Sequence, residues 1–392
     1  MISQSEAYEI IMSKAFTLDS EQVDLSDALH RVLTEDVRSD MDMPPFEKSA
    51  MDGYACRRED LAKTLQVVEV LKAGEVPTKS VGAGQCSKIM TGGMMPEGAD
   101  CVVMVEKSEE VGENSVRFTT DTTPDNFCET GEDIQEGSVV LKAGTLLQPQ
   151  HIAMLASVGC TKPTVVRRPR VGVIATGDEL VEPEVKPSLS QIRTSNSHQL
   201  MNQVHNAHAL PTYYGIAKDT EASLDAILKK AIAENDLIIL SGGVSMGDFD
   251  LVPGRLKANG LTILFDEISV QPGKPTTFAV TDKLFCFGLP GNPVATFTQF
   301  EHLVKPLIYR LMGHVFRPLQ LRLPMARKHT RKRALRESWF LAKVTDEGSV
   351  LPVEFHGSAH VTAMCEADVM ATMAVGVDTL EEGELVIVKA LY

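Results

Sequence analysis

Short apolar runs alternate with amphipathic stretches between about residues 166 and 315. This alternation predicts a parallel, or mostly parallel, sheet covered by helices on both faces. The predicted strands are the runs 171–174, 212–216, 237–240, 261–270, 276–280 and 284–288. The predicted helices are 195–207, the stretch after Asp219-Thr220, and 293–312. Ligands bind at the carboxyl ends of strands in such sheets, so the loops after these strands are candidate site residues.

The flanking regions have different patterns. Apolar residues at helical spacing predict one helix over 3–16, and a second over 26–34 where Ser26 and Asp27 offer capping oxygens. From about residue 60 to 135 the chain changes to short β-like runs at 65–71, 101–106 and 116–119. Short strands return after about residue 317. The fold class predicted is therefore multi-domain α/β plus β, with a central α/β domain, a small β-rich domain and a β-rich C-terminal domain.

The stretch 236–250, DLIILSGGVSMGDFD, carries the most informative strand end. Paired glycines after a strand allow tight turns and let backbone amides approach a ligand closely. A helix that begins just beyond would favour a phosphate at its N-terminus. Asp248 and Asp250 then stand where a hard cation accompanying that phosphate needs oxygen ligands. The alternative is a strand-to-helix turn with solvated carboxylates.

Two further strand ends and two nearby segments add candidate residues. ATGDEL follows the strand at 171–174, and LPGNP at 289–293 is a rigid loop because two prolines flank its glycine. QPGKP at 271–275 is a similar loop with one cation, Lys274, whose alternative is a solvated surface lysine. The basic cluster 327–333 either faces a ligand or is a solvated edge that discourages sheet-to-sheet pairing.

Composition narrows the classes of function. The 392-residue chain has a formal net charge of −15, which argues against general binding to nucleic acid or to anionic membranes. We expect no signal peptide and no membrane-spanning segment. Seven scattered cysteines without a CxxC pair are typical of reduced thiols, so we expect a cytoplasmic protein. Without a GxSxG motif, a P-loop or a Cys-His nucleophile pattern, covalent nucleophilic catalysis has no sequence support.

Seven motifs follow one another in a fixed order. They are SAMDGYA (49–55), TGGMMPEGAD (91–100), GEDI (131–134), ATGDEL (175–180), SGGVSMGDFD (241–250), PGKP (272–275) and LPGNP (289–293). Together they resemble the MoeA family, the molybdopterin molybdenumtransferases, which are related to the E domain of gephyrin. The resemblance covers essentially the whole chain and is weaker in its C-terminal part. One motif alone would be unspecific, but seven in order are highly specific.

The resemblance implies an elongated four-domain homodimer and a reaction. Adenylylated molybdopterin and molybdate, both small-molecule substrates, would give molybdenum cofactor and AMP with Mg²⁺ as the divalent cation. Other proteins of molybdenum cofactor biosynthesis would be partners. The domains would be an α/β molybdopterin-binding domain (1–25 with 166–315), a connecting domain (26–45 with 136–165), a β-rich domain (46–135) and a C-terminal β domain (316–392).

The resemblance also implies roles for individual residues. The catalytic residues of an acidic cleft would be Asp52, Thr91, Asp133, Glu179 and Asp250. The substrate-binding residues would be Asp219, Ser241, Gly242, Gly243, Lys274, Pro290 and Pro293. The metal ligands would be Glu179, Asp248 and Asp250. For several of these acids, structural turn capping is the alternative.

Two positions depart from the family pattern. Cys128 stands where an Arg is common, three residues before the Gly of GEDI, and Gln271 replaces the first Lys of KPGKP. Each change removes a positive charge where molybdate or phosphate is expected. Our hypothesis is that Arg331 or neighbouring basic residues, across a dimer interface, partly compensate.

Two other functions stay open at this point. One is a molybdopterin adenylyltransferase, although that family is normally a compact single domain and the MDGYA and GEDI segments argue against it. The other is a catalytically weak paralogue that binds pterin or acts as a scaffold.

Overall fold

A computed structural model describes residues 1–243, 251–354 and 360–391. The chain divides into two compact units. The larger comprises Met1–Gln22, His30–Thr34 and Thr164–Tyr392, and the smaller comprises Val23–Leu29 and Glu35–Pro163. The finer four-domain division stays a prediction.

The larger unit is built on a six-stranded mixed sheet. In spatial order its strands are Leu210–Ala217, Arg170–Thr176, Leu237–Ser241, Phe285–Leu289, Pro275–Val280 and Thr262–Glu267. The first four are parallel, and the last two join by antiparallel pairing. The register aligns Ala175 with Ser241 and Ser241 with Leu289, so three strands end side by side. The predicted fold class, with a mostly parallel central sheet, is confirmed.

Helices cover both faces of this sheet. On one face Ile174, Ile238 and Leu240 pack in a core with Leu228 and Leu256 of two helices, all of them 0% exposed. The helix Asn196–Asn206 contacts the sheet as well and buries Leu200 and Val204. The helices of the unit are Gln4–Lys14, Asn196–Asn206, Glu221–Glu234, Val252–Ala258, Pro293–Gln299, Lys305–Leu311 and Val361–Cys365.

The helix predicted over 293–312 contains a wider turn. Its two α-helical parts are joined by a π-helical turn, Phe300–Val304. Pro306 has no N–H to donate to the carbonyl four residues earlier, which a regular α-helix would need. A π turn is the usual way in which one extra residue is accommodated inside a helix.

A second sheet of the larger unit contains most of the C-terminal strands. In order these are Val270–Gln271, Glu337–Val344, Val369–Met373, Leu385–Ala390 and Gln320–Pro324, with Val350–Pro352 paired to the second. Three short pairs complete the unit: Ser20–Gln22 with Thr164–Val166, Leu180–Val181 with Ile192–Arg193, and His329–Thr330 with Thr379–Leu380. No described helix of the chain is long and apolar enough to cross a membrane.

The smaller unit is rich in strands. Its six-stranded sheet runs Cys101–Met104, Gly53–Cys56, Gln85–Ile89, Thr64–Leu71, Ser115–Phe118 and Ser108–Glu110. Lys48–Ser49 pairs with Phe127–Cys128, Val37–Arg38 pairs with Val139–Leu141, and one helix spans Pro149–Ser157.

The helix predicted over 26–34 is wrong. The chain forms only a 3₁₀ turn at Leu25–Asp27, and His30 takes φ +61°, which no α-helix accommodates. Val32 and Leu33 are 1% exposed, but Leu33 is buried as a β-bridge partner of Val165. The apolar positions were identified correctly, but their helical spacing was coincidental.

Candidate functional site

Three of the predicted strand-end loops surround one cavity in the larger unit. The carboxyl ends of Arg170–Thr176, Leu237–Ser241 and Phe285–Leu289 open onto a space of ≈ 410 Å³, which we call the strand-end cavity. This volume is typical of small-molecule sites. Its lining includes Thr176, Glu179, Ser241, Gly242, Asn292 and Pro293.

Gly242 lets two strand ends come together. It has φ +99°, and a Cβ at this position would lie 2.5 Å from the carbonyl oxygen of Thr176. Its N–H donates to the carbonyl of Leu289 at 3.1 Å. Gly243 follows with φ +64°. Any side chain at Gly242 would therefore push the strand ends apart.

The Glu179 carboxylate folds back over the loop that carries it. A Cβ on Gly177, which has φ +145°, would lie 2.5 Å from Glu179 Oε2. The backbone carbonyl of Glu179 accepts from Ile192 N at 2.8 Å, which ties the loop to the Ile192–Arg193 strand. The backbone of this loop is thus tied down beside the cavity, and the Glu179 side chain lies close to Gly177.

Asn196 is a site residue that the sequence did not reveal. Its Nδ2 donates to Ser241 Oγ at 2.9 Å and to the carbonyl of Gly291 at 2.8 Å, so it joins the SGG and LPGNP loops. Its Oδ1 is buried without a hydrogen-bond partner among the described residues. A donor from a ligand would complete this amide. Because its partners are 45 and 95 residues away in sequence, only the fold brings them together.

The remaining carboxylates of this region have different surroundings. Asp178 and Asp219 brace two loops, since the N–H of each donates to the carboxylate of the other at 3.2 and 3.3 Å. Asp219 is not among the residues that line the strand-end cavity. The predicted metal ligands Asp248 and Asp250 lie outside the described residues. Within the described part, no three His, Cys, Asp or Glu side chains converge as a metal site would require.

A second space in the larger unit, of ≈ 660 Å³, has a basic lining, and we call it the basic cavity. Pro290 lines it, and Asn292 lines both this cavity and the strand-end cavity. Glu354 is the one carboxylate of its described lining. The basic residues are Lys274, Arg327, His329, Arg331 and Arg336. Part of the basic cluster 327–333 therefore faces the same space as Lys274.

The cations of the basic cavity differ in how they are neutralised. Lys274 pairs with Glu267 at 2.7 Å. Arg331 instead donates to three backbone carbonyls at 2.6–2.7 Å, which fix its guanidinium without cancelling its charge. Burial lowers the pKa of Arg331, and the negative charge of Asp378 only partly offsets this effect. A guanidinium has five N–H groups, so an incoming oxyanion could still be bound.

In the smaller unit, Asp52 and Thr91 are brought together as a pair. Both the backbone N–H and the hydroxyl of Thr91 donate to Asp52 Oδ1, at 2.6 and 2.8 Å. These two hydrogen bonds lower the pKa of Asp52, and the backbone hydrogen bond has the larger effect. Asp52 is thus held as a carboxylate chiefly by the backbone N–H of Thr91, and the Thr91 hydroxyl contributes second.

Asp133 lines a separate cavity of the smaller unit, which we call the Cys128 cavity. Cys128 and Lys48 line the same space of ≈ 660 Å³. Lys48 stands directly opposite Cys128 on the neighbouring strand. Residues directly opposite in an antiparallel pair have neighbouring side chains. Lys48 therefore supplies a positive charge beside the position where Cys128 removes one, and the strand pairing was needed to find it.

Comparisons with known proteins cover the chain from end to end. Family profiles match residues 2–159 as the MoeA N-terminal region (domain I and II), residues 172–310 as a probable molybdopterin binding domain, and residues 318–391 as the MoeA C-terminal region (domain IV). Matched residues thus include the strand-end loops and all the lining residues of the basic cavity.

Individual relatives agree with the profiles. The chain is 40% identical to a molybdopterin molybdenumtransferase of Bacillus subtilis (strain 168), over 74% of this chain and 70% of the relative. It is 34% identical to one from Staphylococcus epidermidis, over 98% and 94% respectively. A solved molybdopterin biosynthesis MoeA protein from Pyrococcus horikoshii OT3 superposes with a TM-score of 0.86 at 28% identity, over 100% of both chains.

Proposed function

The chain belongs to the MoeA family of molybdopterin molybdenumtransferases, and we propose that it inserts molybdate into adenylylated molybdopterin, releasing AMP and molybdenum cofactor. The observation that carries this proposal is the pair of adjoining cavities in the larger unit. One lies at glycine-rich strand ends and the other is basic, and Asn292 lines both. A substrate with a pyrophosphate and a second, oxyanionic substrate need two such neighbouring environments.

We assign the phosphate-bearing part of the pterin nucleotide to the strand-end cavity. The backbone turn at Ser241, Gly242 and Gly243 has no side chain beyond a hydroxyl to block an approaching phosphate. The Oδ1 of Asn196, which has no partner among the described residues, suits a substrate that carries N–H donors, as a pterin does. Pro293 fixes the loop that closes this side.

We assign molybdate to the basic cavity. Lys274 and the guanidinium of Arg331 supply positive charge with few competing carboxylates in the described lining. Gln271 also lines this cavity. The lysine that Gln271 replaces would therefore have faced the same basic cavity. Arg331 and Arg336, both in the same chain as Gln271, are our candidates for replacing it. Each charge-assisted contact to an oxyanion contributes about 1.5–3 kcal/mol.

We propose Mg²⁺ as the divalent cation, held by Glu179 together with Asp248 and Asp250. The fit rests on Glu179, whose carboxylate lines the strand-end cavity and matches the preference of hard cations for oxygen. The ion would supply positive charge to phosphate oxygens as the anhydride is cleaved. The Glu179 carboxylate lies beside Gly177, where a larger residue would collide with it.

The residues of the smaller unit complete the proposal. Asp52, kept ionised by Thr91, is proposed as a catalytic carboxylate that orients a substrate group, and Asp133 has the same proposed role. Where the family commonly has an Arg, this chain has Cys128, and we propose that Lys48 supplies the missing positive charge. We further propose that the protein works as a homodimer, with other proteins of molybdenum cofactor biosynthesis as partners.

The comparisons do not favour the two alternative functions. Relatives aligned over 94% of their own length are named molybdopterin molybdenumtransferases. A single-domain adenylyltransferase would not account for the matched N-terminal and C-terminal MoeA regions.

AMP release tests the proposal directly. Purified protein is mixed with adenylylated molybdopterin and Mg²⁺, with and without molybdate, and AMP is quantified. We expect molybdate-dependent release, and a product that activates a cofactor-free molybdoenzyme. Lys274→Ala should raise the molybdate concentration needed about ten-fold, whereas the exposed Lys283→Ala should not. Tight nucleotide binding without release would refute the transferase proposal and support a binding protein.

A further inference from the structure

A third cavity of the larger unit lies outside the proposed reaction. It has a volume of ≈ 490 Å³, and we call it the Trp339 cavity. Its walls come from the N-terminal helix Gln4–Lys14, the π-helical turn Phe300–Val304 and the C-terminal sheet. The aromatic side chains Tyr8, Phe316 and Trp339 line it. An organic group of small-molecule size fits such a space.

Lys389 brings a positive charge into this cavity. Its Nζ lies 4.5 Å from the centroid of the Trp339 ring and 3.1 Å from Nδ1 of His302. Among the described residues, Lys389 forms no ion pair with a carboxylate within 4.0 Å. Burial lowers the pKa of Lys389. A partly buried ammonium without a counter-ion is costly, and an anion entering the cavity would relieve that cost.

His302 cannot provide the missing negative charge. It is 5% exposed, and burial, followed by the charge of Lys389, holds its pKa well below the ordinary value, so the ring is neutral. An ammonium only donates hydrogen bonds, so Nδ1 accepts and the proton lies on Nε2. Nε2 is buried without a partner in the described part of the chain. Among the described residues, Nε2 of His302 thus has no acceptor, and Lys389 has a neutral acceptor but no carboxylate in contact.

The other charged residues of the lining leave the same imbalance. Glu301 is occupied by Lys305 at 2.8 Å and by Gln203 at 2.9 Å. Glu337 accepts from Thr372 at 3.4 Å, and its negative charge raises the pKa of Lys389 by less than burial lowers it. Arg317, like Lys389, has no ion pair with a described carboxylate. Within its described lining, the cavity therefore combines aromatic walls with two cations, Lys389 and Arg317, that no carboxylate contacts.

We propose that the Trp339 cavity binds a small organic carboxylate, with its carboxylate group paired to Lys389 and Arg317 and its apolar part against Trp339 and Phe316. This site is separate from the transferase reaction, although Trp339 lines the basic cavity as well.

The test uses the fluorescence of Trp339, which is the single tryptophan of the chain. The full-length protein is titrated with phenylacetate and with two probes of the same shape, neutral phenylacetamide and cationic phenethylamine. We expect a saturable change with phenylacetate, an affinity about ten-fold lower for phenylacetamide, and no binding of phenethylamine. Equal affinities for phenylacetate and phenylacetamide would overturn the proposal. Because the readout needs no turnover, it stands or falls independently of AMP release.

Three variants locate the bound probe. Lys389→Met should abolish the preference for phenylacetate over phenylacetamide. The matched control Lys343→Met removes an exposed lysine paired with Glu366 in the same sheet and should leave the preference intact. Lys274→Ala should also leave it intact, and loss of binding there would transfer the probe to the basic cavity and refute the assignment. If Lys389→Met does not fold, Arg317→Met decides: it should weaken the preference for phenylacetate over phenylacetamide, and an unchanged preference would refute the assignment.

Discussion

Replacing Gly242 by alanine would test whether the shape of the strand-end cavity depends on the close approach of two strand ends. The new Cβ would lie 2.5 Å from the carbonyl oxygen of Thr176 and 2.9 Å from its hydroxyl. Cβ atoms essentially never approach closer than 3.0 Å, so one strand end must move by at least 0.5 Å, the difference between the two distances. The atom in the way is backbone, which cannot rotate aside as a side chain would.

Two contributions set the size of the effect. Alanine at φ +99° is strained by about 1–3 kcal/mol, and forcing apart a packed backbone costs about 1–3 kcal/mol more. We therefore expect the larger unit to lose about 2–6 kcal/mol of unfolding free energy. The hydrogen bond from Gly242 N to Leu289 at 3.1 Å should also lengthen, because the moving strand end carries its donor.

Gly291→Ala is the matched control. It lines the same cavity, but its Cβ would meet nothing closer than the Cα of Gly242 at 3.8 Å. Urea unfolding followed by Trp339 fluorescence compares the two variants, and AMP release measures the consequence for the site. Gly291→Ala should stay within about 0.5 kcal/mol of the natural protein. If Gly242→Ala unfolded at the same urea concentration as the control, the argument from backbone approach would be refuted.

Three further predictions concern ionisable groups. Arg167 donates two hydrogen bonds of 2.7 Å to Asp236, and although burial alone would raise the pKa of Asp236, these bonds lower it. Asp236→Asn should therefore cost about 2–3 kcal/mol of unfolding free energy at neutral pH. In the natural protein, urea unfolding should show that this contribution disappears as the pH falls from the ordinary pKa of 3.8 through the lower folded-state pKa. Thr91→Val removes the hydroxyl donor to Asp52 but keeps the backbone donor, so the pKa of Asp52, followed by carboxyl NMR, should rise only part of the way to its ordinary value, and a full return would show that the backbone bond is also lost. Burial lowers the pKa of His208 to about 4. As the pH falls, the unfolded chain therefore takes up a proton before the folded one, and the unfolding free energy should fall between pH 6.5 and about 4. His208→Asn should flatten this part of the plot of unfolding free energy against pH, and an unchanged slope would contradict the assignment.

The sequence predicted the strand-end cavity better than it predicted the contacts that hold it. Apolar runs that stop at Thr176, Ser241 and Leu289 identify strand ends locally, and parallel pairing brings such ends to one edge. Asn196 was missed because its amide contacts residues that are 45 and 95 positions away in sequence, and only the folded chain brings them beside it. Lys48 was missed for the same reason, since its relation to Cys128 exists only across a strand pair.

Wrong and undecided predictions have physical causes too. The apolar spacing at 26–34 fits a helix, but the spacing does not reveal that His30 takes φ +61°. That Arg331 replaces a missing positive charge remains a proposal. Arg331 also has a structural role, because it donates to three backbone carbonyls, so substituting Arg331 would disturb the local fold as well as the charge. Arg336, which donates to one backbone carbonyl, that of Val270, disturbs the local fold less and is the better position for testing the charge.

The π-helical turn at Phe300–Val304 limits how this part of the chain can change in length. One residue in a helix corresponds to a rotation of about 100°, so the turn sets a fixed angular offset between Pro293–Gln299 and Lys305–Leu311. The first part continues from the LPGNP loop, and the second buries Leu307, Ile308 and Leu311 in the core. Deleting one residue would give a straighter helix yet turn one of these faces away from its surroundings. A surface hairpin such as 345–349 can accept insertions and deletions. The segment 293–311 cannot, because its length sets the direction in which the LPGNP loop approaches the cavities.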